Sequence, residues 1–303
     1  MPPTVVTLLP SATEIAYALG VEPAAVSHEC DYPPAAAERP RASRCLLDPD
    51  GSSADIDDDV CAGDVYEIDT DVLDAVDPDV VITQGVCDVC AVDRALVEDA
   101  LDDCACDPDV LTTDPRSLDD VLDDVARIGD ALGREREAES LVADLTERIA
   151  RVEERAFAAV AADGRPRTLA FDWMDPLMVA GHWVPEMVAL AGGEYGIADP
   201  GAYSAPEDFA DVAAFDPERV VVSPCGFDVA HARRELDVLR ERDGWDDLSA
   251  VRDGEIYLLD GDVLNCPSPR LVDALETLAW LCHPDYFDGP TQAVERAPAR
   301  PNA

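Results

Sequence analysis

Residues 5–20 read VVTLLPSATEIAYALG, and this stretch decides the fold class. Val5–Leu9 is a short apolar run of the kind that forms a buried strand. Pro10 and Ser11 interrupt it. Ser11 is expected to cap a helix over Ala12–Leu19, with Glu14 three residues on as its capping-box partner, and Gly20 ends the helix. A plain apolar strand running straight into a helix is the repeating unit of a parallel sheet with helices on its faces. The unit recurs downstream. Ala25–Ser27, Val80–Thr83 and Val110–Thr112 are expected strands, and Ser53–Val60, Thr70–Ala75 and Val92–Leu101 expected helices.

From Ser117 to about Ala162 the pattern changes. Leu118, Val121, Leu122, Val125 and Ile128 keep a helical period. Gly133 breaks it, and Leu141, Leu145, Ile149 and Val152 define one face of a second, long helix that ends at Gly164–Pro166. A further series follows: strands Thr168–Asp172, Val220–Ser223 and Ile256–Leu259, with helices Pro185–Leu190, Pro206–Ala214, Ala230–Leu239 and Arg270–Cys282. The expected architecture is α/β: two parallel-sheet lobes joined by a long rigid helix, with a ligand cleft between them. The expected divisions are an N-terminal lobe over 1–116, connecting helices over 117–163, a C-terminal lobe over 164–288, and a disordered Pro/Ala/Arg-rich tail over 289–303.

Composition narrows the function classes. The 303 residues carry 66 acidic and 22 basic side chains, every basic one an Arg, for a formal net charge of −44. Such a chain has little with which to neutralise a run of phosphates, so nucleic acid is excluded as a partner. Docking on an anionic membrane surface is disfavoured for the same reason. No apolar run is long enough to span a bilayer, so no membrane insertion is expected. The evenly spread acidity suits a high-salt organism, where screening shortens the range of self-repulsion. The first twenty residues lack a basic segment followed by a continuous apolar core, so a cytoplasmic location and a monomer are expected. In that setting the ten cysteines read as buried thiols, metal ligands or redox groups.

Ligands of open α/β sheets bind beyond the carboxyl ends of the strands. Those positions here hold Pro10, Ser11 and Glu14; then SHECDYP at 27–33; then QGVCDVC at 84–90. In the second lobe they hold DWMDP at 172–176, GHWVPE at 181–186, SPCGFD at 223–228, and Asp260 to Asp262. Two of the four His and two of the four Trp fall among them. Cys87 and Cys90 have the spacing that lets two thiolates share a metal or form a reversible disulfide. Cys30, Cys225, His28 and His182 are candidates to complete a zinc or iron–sulfur site. Their alternative is to line an apolar pocket. Trp173, Trp183 and Tyr32 offer flat surfaces for a macrocycle or ordinary core packing. No glycine-rich nucleotide loop and no serine-hydrolase elbow is present.

TLLPSATEIAYALG, SHECDYP, EIDTDVLDAVDPDVVITQ and the long mid-chain helix resemble the cobalamin- and iron-chelate-binding components of ABC importers. The resemblance covers about residues 4–287 and is closest to the cobalamin-binding type, within it to members without an export signal. TQGVCDVCAVD, AGHWVPEM and SPCGFD fit that subgroup. It implies a non-catalytic protein that holds cobalamin, another corrinoid or a related metal chelate between two lobes. Ser11, His28, Tyr32, Gln84, Trp173, His182 and Trp183 would line the site, either His serving as an axial ligand to cobalt. It also implies an ABC permease as partner, with Glu14 as a transporter contact. The competing expectation is a cytosolic metalloprotein or enzyme on the same fold, with Cys30, Cys87, Cys90, Cys225, His28 and His182 holding zinc or an iron–sulfur cluster. A weaker third is a redox protein cycling a Cys87–Cys90 disulfide.

Overall fold

The computed structural model describes residues 3–46, 54, 65–85, 92 and 94–297. The first strand and helix form as the sequence dictates: β1 (Val5–Thr7) leads directly into α1 (Pro10–Ala18). The helix begins earlier than expected. Pro10 occupies its first turn, where the missing N–H costs nothing, and Leu9 becomes the N-cap. Ser11 is therefore inside the helix rather than capping it, and no side chain caps the end. The capping box expected of Ser11 and Glu14 does not form, which frees Glu14 for a different contact.

β2 (Ala25–Val26), β5 (Val80–Gln84) and β6 (Asp109–Thr113) complete a four-stranded parallel sheet in the order β2-β1-β5-β6. Val5, Val6 and Thr7 align with Val80, Val81 and Ile82. Helices α2 (Thr70–Val76) and α3 (Arg94–Asp102) connect these strands. A small antiparallel pair, β3 (Ser43–Cys45) and β4 (Tyr66–Ile68), lies beside them and was not expected from the sequence. The expected helix over Ser53–Val60 falls, except for residue 54, outside the described residues.

α4 (Leu118–Ala131) starts on a capping box between Ser117 and Asp120. The chain turns at Gly133 (φ +64°) into α5 (Glu135–Asp163). At 1.5 Å per residue, the 29 residues of α5 run about 44 Å. Arg148 of α5 donates to Glu276 at 2.8 and 3.0 Å and also to Asp273, which fastens the long helix to the C-terminal lobe.

That lobe is built on β7 (Thr168–Trp173), β10 (Arg219–Val222) and β11 (Ile256–Leu259), mutually parallel. β8 (Met178–Val179) and β9 (Ala205–Pro206) extend one edge antiparallel. β12 (Val294–Arg296) closes the other, pairing antiparallel with β11. This corrects the expectation of a disordered tail over 289–303, at least through residue 297. Arg296 reaches Glu255 and the Gly254 carbonyl, and Arg233 pairs with Glu295, so the segment is ordered by partners distant in sequence. Helices α6 (Val184–Leu190), α7 (Phe209–Phe215), α8 (Val229–Arg240), α9 (Ser249–Asp253), α10 (Gly261–Leu264) and α11 (Leu271–Cys282) cover the sheet. The helix expected over Pro206–Ala214 starts only at Phe209 because Ala205–Pro206 is taken up as a strand. Among the described residues, no helix is long and apolar enough to cross a membrane.

Candidate functional site: the strand ends between the lobes

The carboxyl ends of the strands in the two lobes meet, and the first contact between them is Glu14. Its carboxylate is buried and accepts from Ser268 Oγ at 2.5 Å, from Arg270 Nε at 2.9 Å and from Arg270 Nη2. The Cys266 thiol lies 3.9 Å away. Burial alone would lower the Arg270 pKa, but the facing carboxylate more than reverses this and the guanidinium stays charged. The same guanidinium stacks 4.1 Å above the Tyr32 ring. Glu14 is thus an interlobe tie, not an exposed transporter contact. A helix residue that points at the partner lobe and is enclosed there has no surface left to present.

Around this tie the charge is one-sided. Asp31 of the N-terminal lobe acts on Asp260 and Asp262 of the C-terminal lobe, and Glu29 acts on Asp262. The Asp262 carboxyl is solvent-accessible yet hemmed in by protein. That enclosure, reinforced by Asp260, Asp31 and Glu29, pushes its pKa up to about 7. Asp260 is raised as well, first by burial.

A second interlobe contact joins Arg116 to Tyr203, beside His182. Gly181 packs so tightly that a Cβ there would stand 2.4–2.5 Å from the backbone of residues 202–204. That closeness lets Ser204 Oγ accept from the Gly181 N–H at 2.9 Å and lets the His182 N–H reach the Ala202 carbonyl. Residue 182 is held at φ +50°, a left-handed conformation uncommon outside glycine. Its ring meets the Tyr203 ring edge-on at 5.4 Å, and Arg116, from the β6–α4 connection, sits 4.3 Å over Tyr203. Burial, and then the Arg116 charge, lower the His182 pKa, so the imidazole is neutral at neutral pH. Its Nε2 is buried and has no hydrogen-bond partner among the described residues.

The remaining candidates separate clearly. His28 is half-buried, with Nδ1 3.3 Å from Ser43 Oγ and Nε2 3.5 Å from Glu29. Tyr32 is exposed, and Ser11 and Gln84 are buried at the ends of their elements. Trp173 is half-buried against Phe227, its indole N–H on the Asp175 carbonyl at 3.1 Å. Trp183 is not a stacking surface: it is buried in the C-terminal core and donates to the Leu264 carbonyl at 2.9 Å. The apolar environment behind α6 takes up its ring before any ligand could.

The expected metal cluster is also corrected. The Cys30 thiol turns into the N-terminal lobe, between Thr13 Oγ1 at 3.0 Å and Ser27 Oγ at 3.1 Å, and burial raises its pKa. Cys225 follows β10 and stays half-buried. No three of Cys30, Cys225, His28 and His182 bring donor atoms to within 4.8 Å of one another. Cys87 and Cys90 lie outside the described residues. Arg270, Ser268 and Tyr203 were missed as site residues, whereas Asp262 was among the strand-end positions read from the sequence. The only signal for them was position after β11 or near GHW, since an Arg or Ser in an irregular segment carries no pattern of its own.

Two α/β lobes, bridged by one long helix and meeting at their strand ends, define a two-lobed binding protein. Residues 5–263 match the periplasmic binding protein family, and the chain belongs to it. A curated relative, an uncharacterised ABC transporter substrate-binding lipoprotein of Bacillus subtilis, is 26% identical over 182 residues, 59% of this chain; the match spans 55% of that protein's length. A periplasmic heme-binding protein from Pseudomonas aeruginosa superposes with a TM-score of 0.76 at 20% identity, covering 100% of both chains. The periplasmic vitamin B12-binding protein BtuF of Vibrio cholerae gives 0.64 at 22% identity, covering 92% of this chain and 96% of that one.

Proposed function

We propose that the protein binds a cobalamin-type corrinoid between its lobes, as the ligand-capturing component of an ABC uptake system whose permease is its partner. The observation that carries this reading is His182. A buried imidazole nitrogen ordinarily finds a partner. His182 Nε2 has none among the described residues, and the ring is kept neutral, the form whose lone pair coordinates a metal. The charge of Arg116, from the connection that leaves the N-terminal lobe, acts on it, which puts the ring near the seam between the lobes. The carboxylates Glu29, Asp31, Asp260 and Asp262 select further. They repel the two propionates of haem and accept hydrogen bonds from the amide-rich rim of a corrinoid. Tyr32 and Trp173 supply apolar surface, and His28 is the second axial candidate. Where the chain resides separates uptake from intracellular handling of the same ligand, the cytoplasm expected from the sequence favouring the latter, and cell fractionation is the check.

The test is a visible-absorption titration with hydroxocobalamin and, separately, haemin. The expected result is saturable corrinoid binding with the spectral change of axial-ligand exchange. His182→Ala should remove that change and weaken binding at least about tenfold, equivalent to about 1.4 kcal/mol. Haemin binding without corrinoid binding, or an unaltered titration of the His182 variant, would overturn the reading.

A further inference from the structure

Away from the interlobe cleft, Asp74, Cys104 and Cys106 converge. Asp74 lies on α2, and the two thiols flank Ala105 in the connection from α3 to β6. One carboxylate oxygen and both Sγ atoms lie within 4.8 Å of one another, the only such set of three among the described residues. We infer that these three side chains form a site for one thiophilic divalent cation of the zinc type, which ties α2 to the α3–β6 connection.

Three observations support the site. The donors are positioned by the fold: the Ala105 N–H donates to Asp74 Oδ1 at 2.8 Å, so the main chain that carries both thiols is already docked on the carboxylate. The Cys104 Sγ lies 4.0 Å from the Thr70 carbonyl one turn earlier on α2, which fixes its side of the helix. The spacing also suits a small ion. With Zn–S about 2.3 Å and Zn–O about 2.1 Å, a tetrahedral ion holds its donors roughly 3.5–3.8 Å apart. Small side-chain rotations close that difference.

Zinc-type cations bind the thiolate form of cysteine, so binding would release the thiol protons. Asp74 is exposed and Cys104 only half-buried, so an ion can enter and water can take the fourth position. Cys106 lies three residues before β6, at the amino end of that strand and so away from the carboxyl ends that face the cleft. The role is one of holding the N-terminal lobe together, separate from ligand capture.

The test uses the full chain, reduced and stripped of metal. It is titrated with Cd²⁺, read by the thiolate-to-cadmium charge-transfer band, and with Zn²⁺ against a chromophoric chelator. The expected result is that Cys104→Ser/Cys106→Ser loses one equivalent of each ion, whereas Cys87→Ser/Cys90→Ser keeps it. Asp74→Asn, a change at an exposed position, should weaken zinc binding at least about tenfold with the far-ultraviolet circular dichroism unchanged. Zinc and cadmium stoichiometry in Cys104→Ser/Cys106→Ser equal to that of the unaltered chain would overturn the site. Should that variant not fold, an Asp74→Asn affinity equal to that of the unaltered chain would overturn it instead.

Discussion

Truncating Glu14 to Ala removes the carboxylate that ties the lobes together. The side chain is 3% exposed and its partner Arg270 18% exposed, so both charges are largely withdrawn from water. The pair is also satisfied by hydrogen bonds: Arg270 Nε at 2.9 Å, a second guanidinium nitrogen, and Ser268 Oγ at 2.5 Å. Removing one partner of such a pair costs about 3–5 kcal/mol, because the other charge is left buried and uncompensated. Arg270 keeps its stack on Tyr32 and some access to solvent, which places Glu14→Ala near the lower end, about 3 kcal/mol. Glu14→Gln keeps one acceptor and loses the charge, for about 2 kcal/mol. The assay is urea denaturation at fixed KCl, reading the midpoint at constant m. Glu14→Gln combined with Arg270→Met should cost less than the sum of the single changes by at least about 1 kcal/mol. A Glu14→Ala cost below about 1 kcal/mol, or additive single changes, would refute the interlobe tie. A stable Glu14→Ala protein that fails only in transport would restore the residue to the permease interface.

The remaining predictions concern charge and packing. Because the folded pKa of Asp262 stands at about 7, above its ordinary value of 3.8, the native state holds its proton more tightly than the unfolded chain between those limits. Stability is therefore lost as pH rises from about 4 to about 7, and the loss is complete above that. Asp262→Asn should raise the thermal midpoint more at pH 8 than at pH 5, and an equal gain at both would count against the crowding of carboxylates. Gly181→Ala forces the backbone of residues 202–204 aside, at a cost of about 1–3 kcal/mol in thermal or urea unfolding; a neutral outcome would mean that the loop carrying Tyr203 is not packed as described. Raising KCl should stabilise the chain by screening its net charge of −44, and Asp262→Asn should reduce that salt gain if the facing carboxylates contribute to it.

The elements most legible in the sequence were those whose signal is local. VVTLL and VVIT read as buried strands because apolar and β-branched side chains fill both faces, and Gly133 marked the α4–α5 break because a residue at φ +64° wants no side chain. The misreadings came where a distant partner decided the matter. Ser11 looked like a cap, but Pro10 took the first turn. Trp183 looked like ligand surface, but the Leu264 carbonyl, far along the chain, claimed its N–H. Val294–Arg296 looked like a frayed tail until β11 offered it an edge. Glu14 and Arg270 are separated by 256 residues, and no window of sequence connects them. Nor does any window of sequence join Cys104 and Cys106 to Asp74, which comes from a different helix.

The acidity that first read only as habitat divides once the fold is known. Most of the carboxylates answer to the solvent, and their individual positions say little. Glu29, Asp31, Asp260 and Asp262 are different because they gather where the two lobes meet, and burial first, then their mutual repulsion, raises the pKa of Asp260 and Asp262. A protein that needed only a closed, stable cleft would place opposite charges there, as it does with Glu14 and Arg270. Instead one buried ion pair holds the lobes together beside four like charges that push them apart. That opposition makes sense if what enters the cleft supplies the missing donors or positive charge: the carboxylates then disfavour the empty closed form and favour the filled one. On the proposed reading the acidic rim opposes anionic ligands, and His182 Nε2, like His28 Nε2, is a buried ring nitrogen with no hydrogen-bond partner among the described residues.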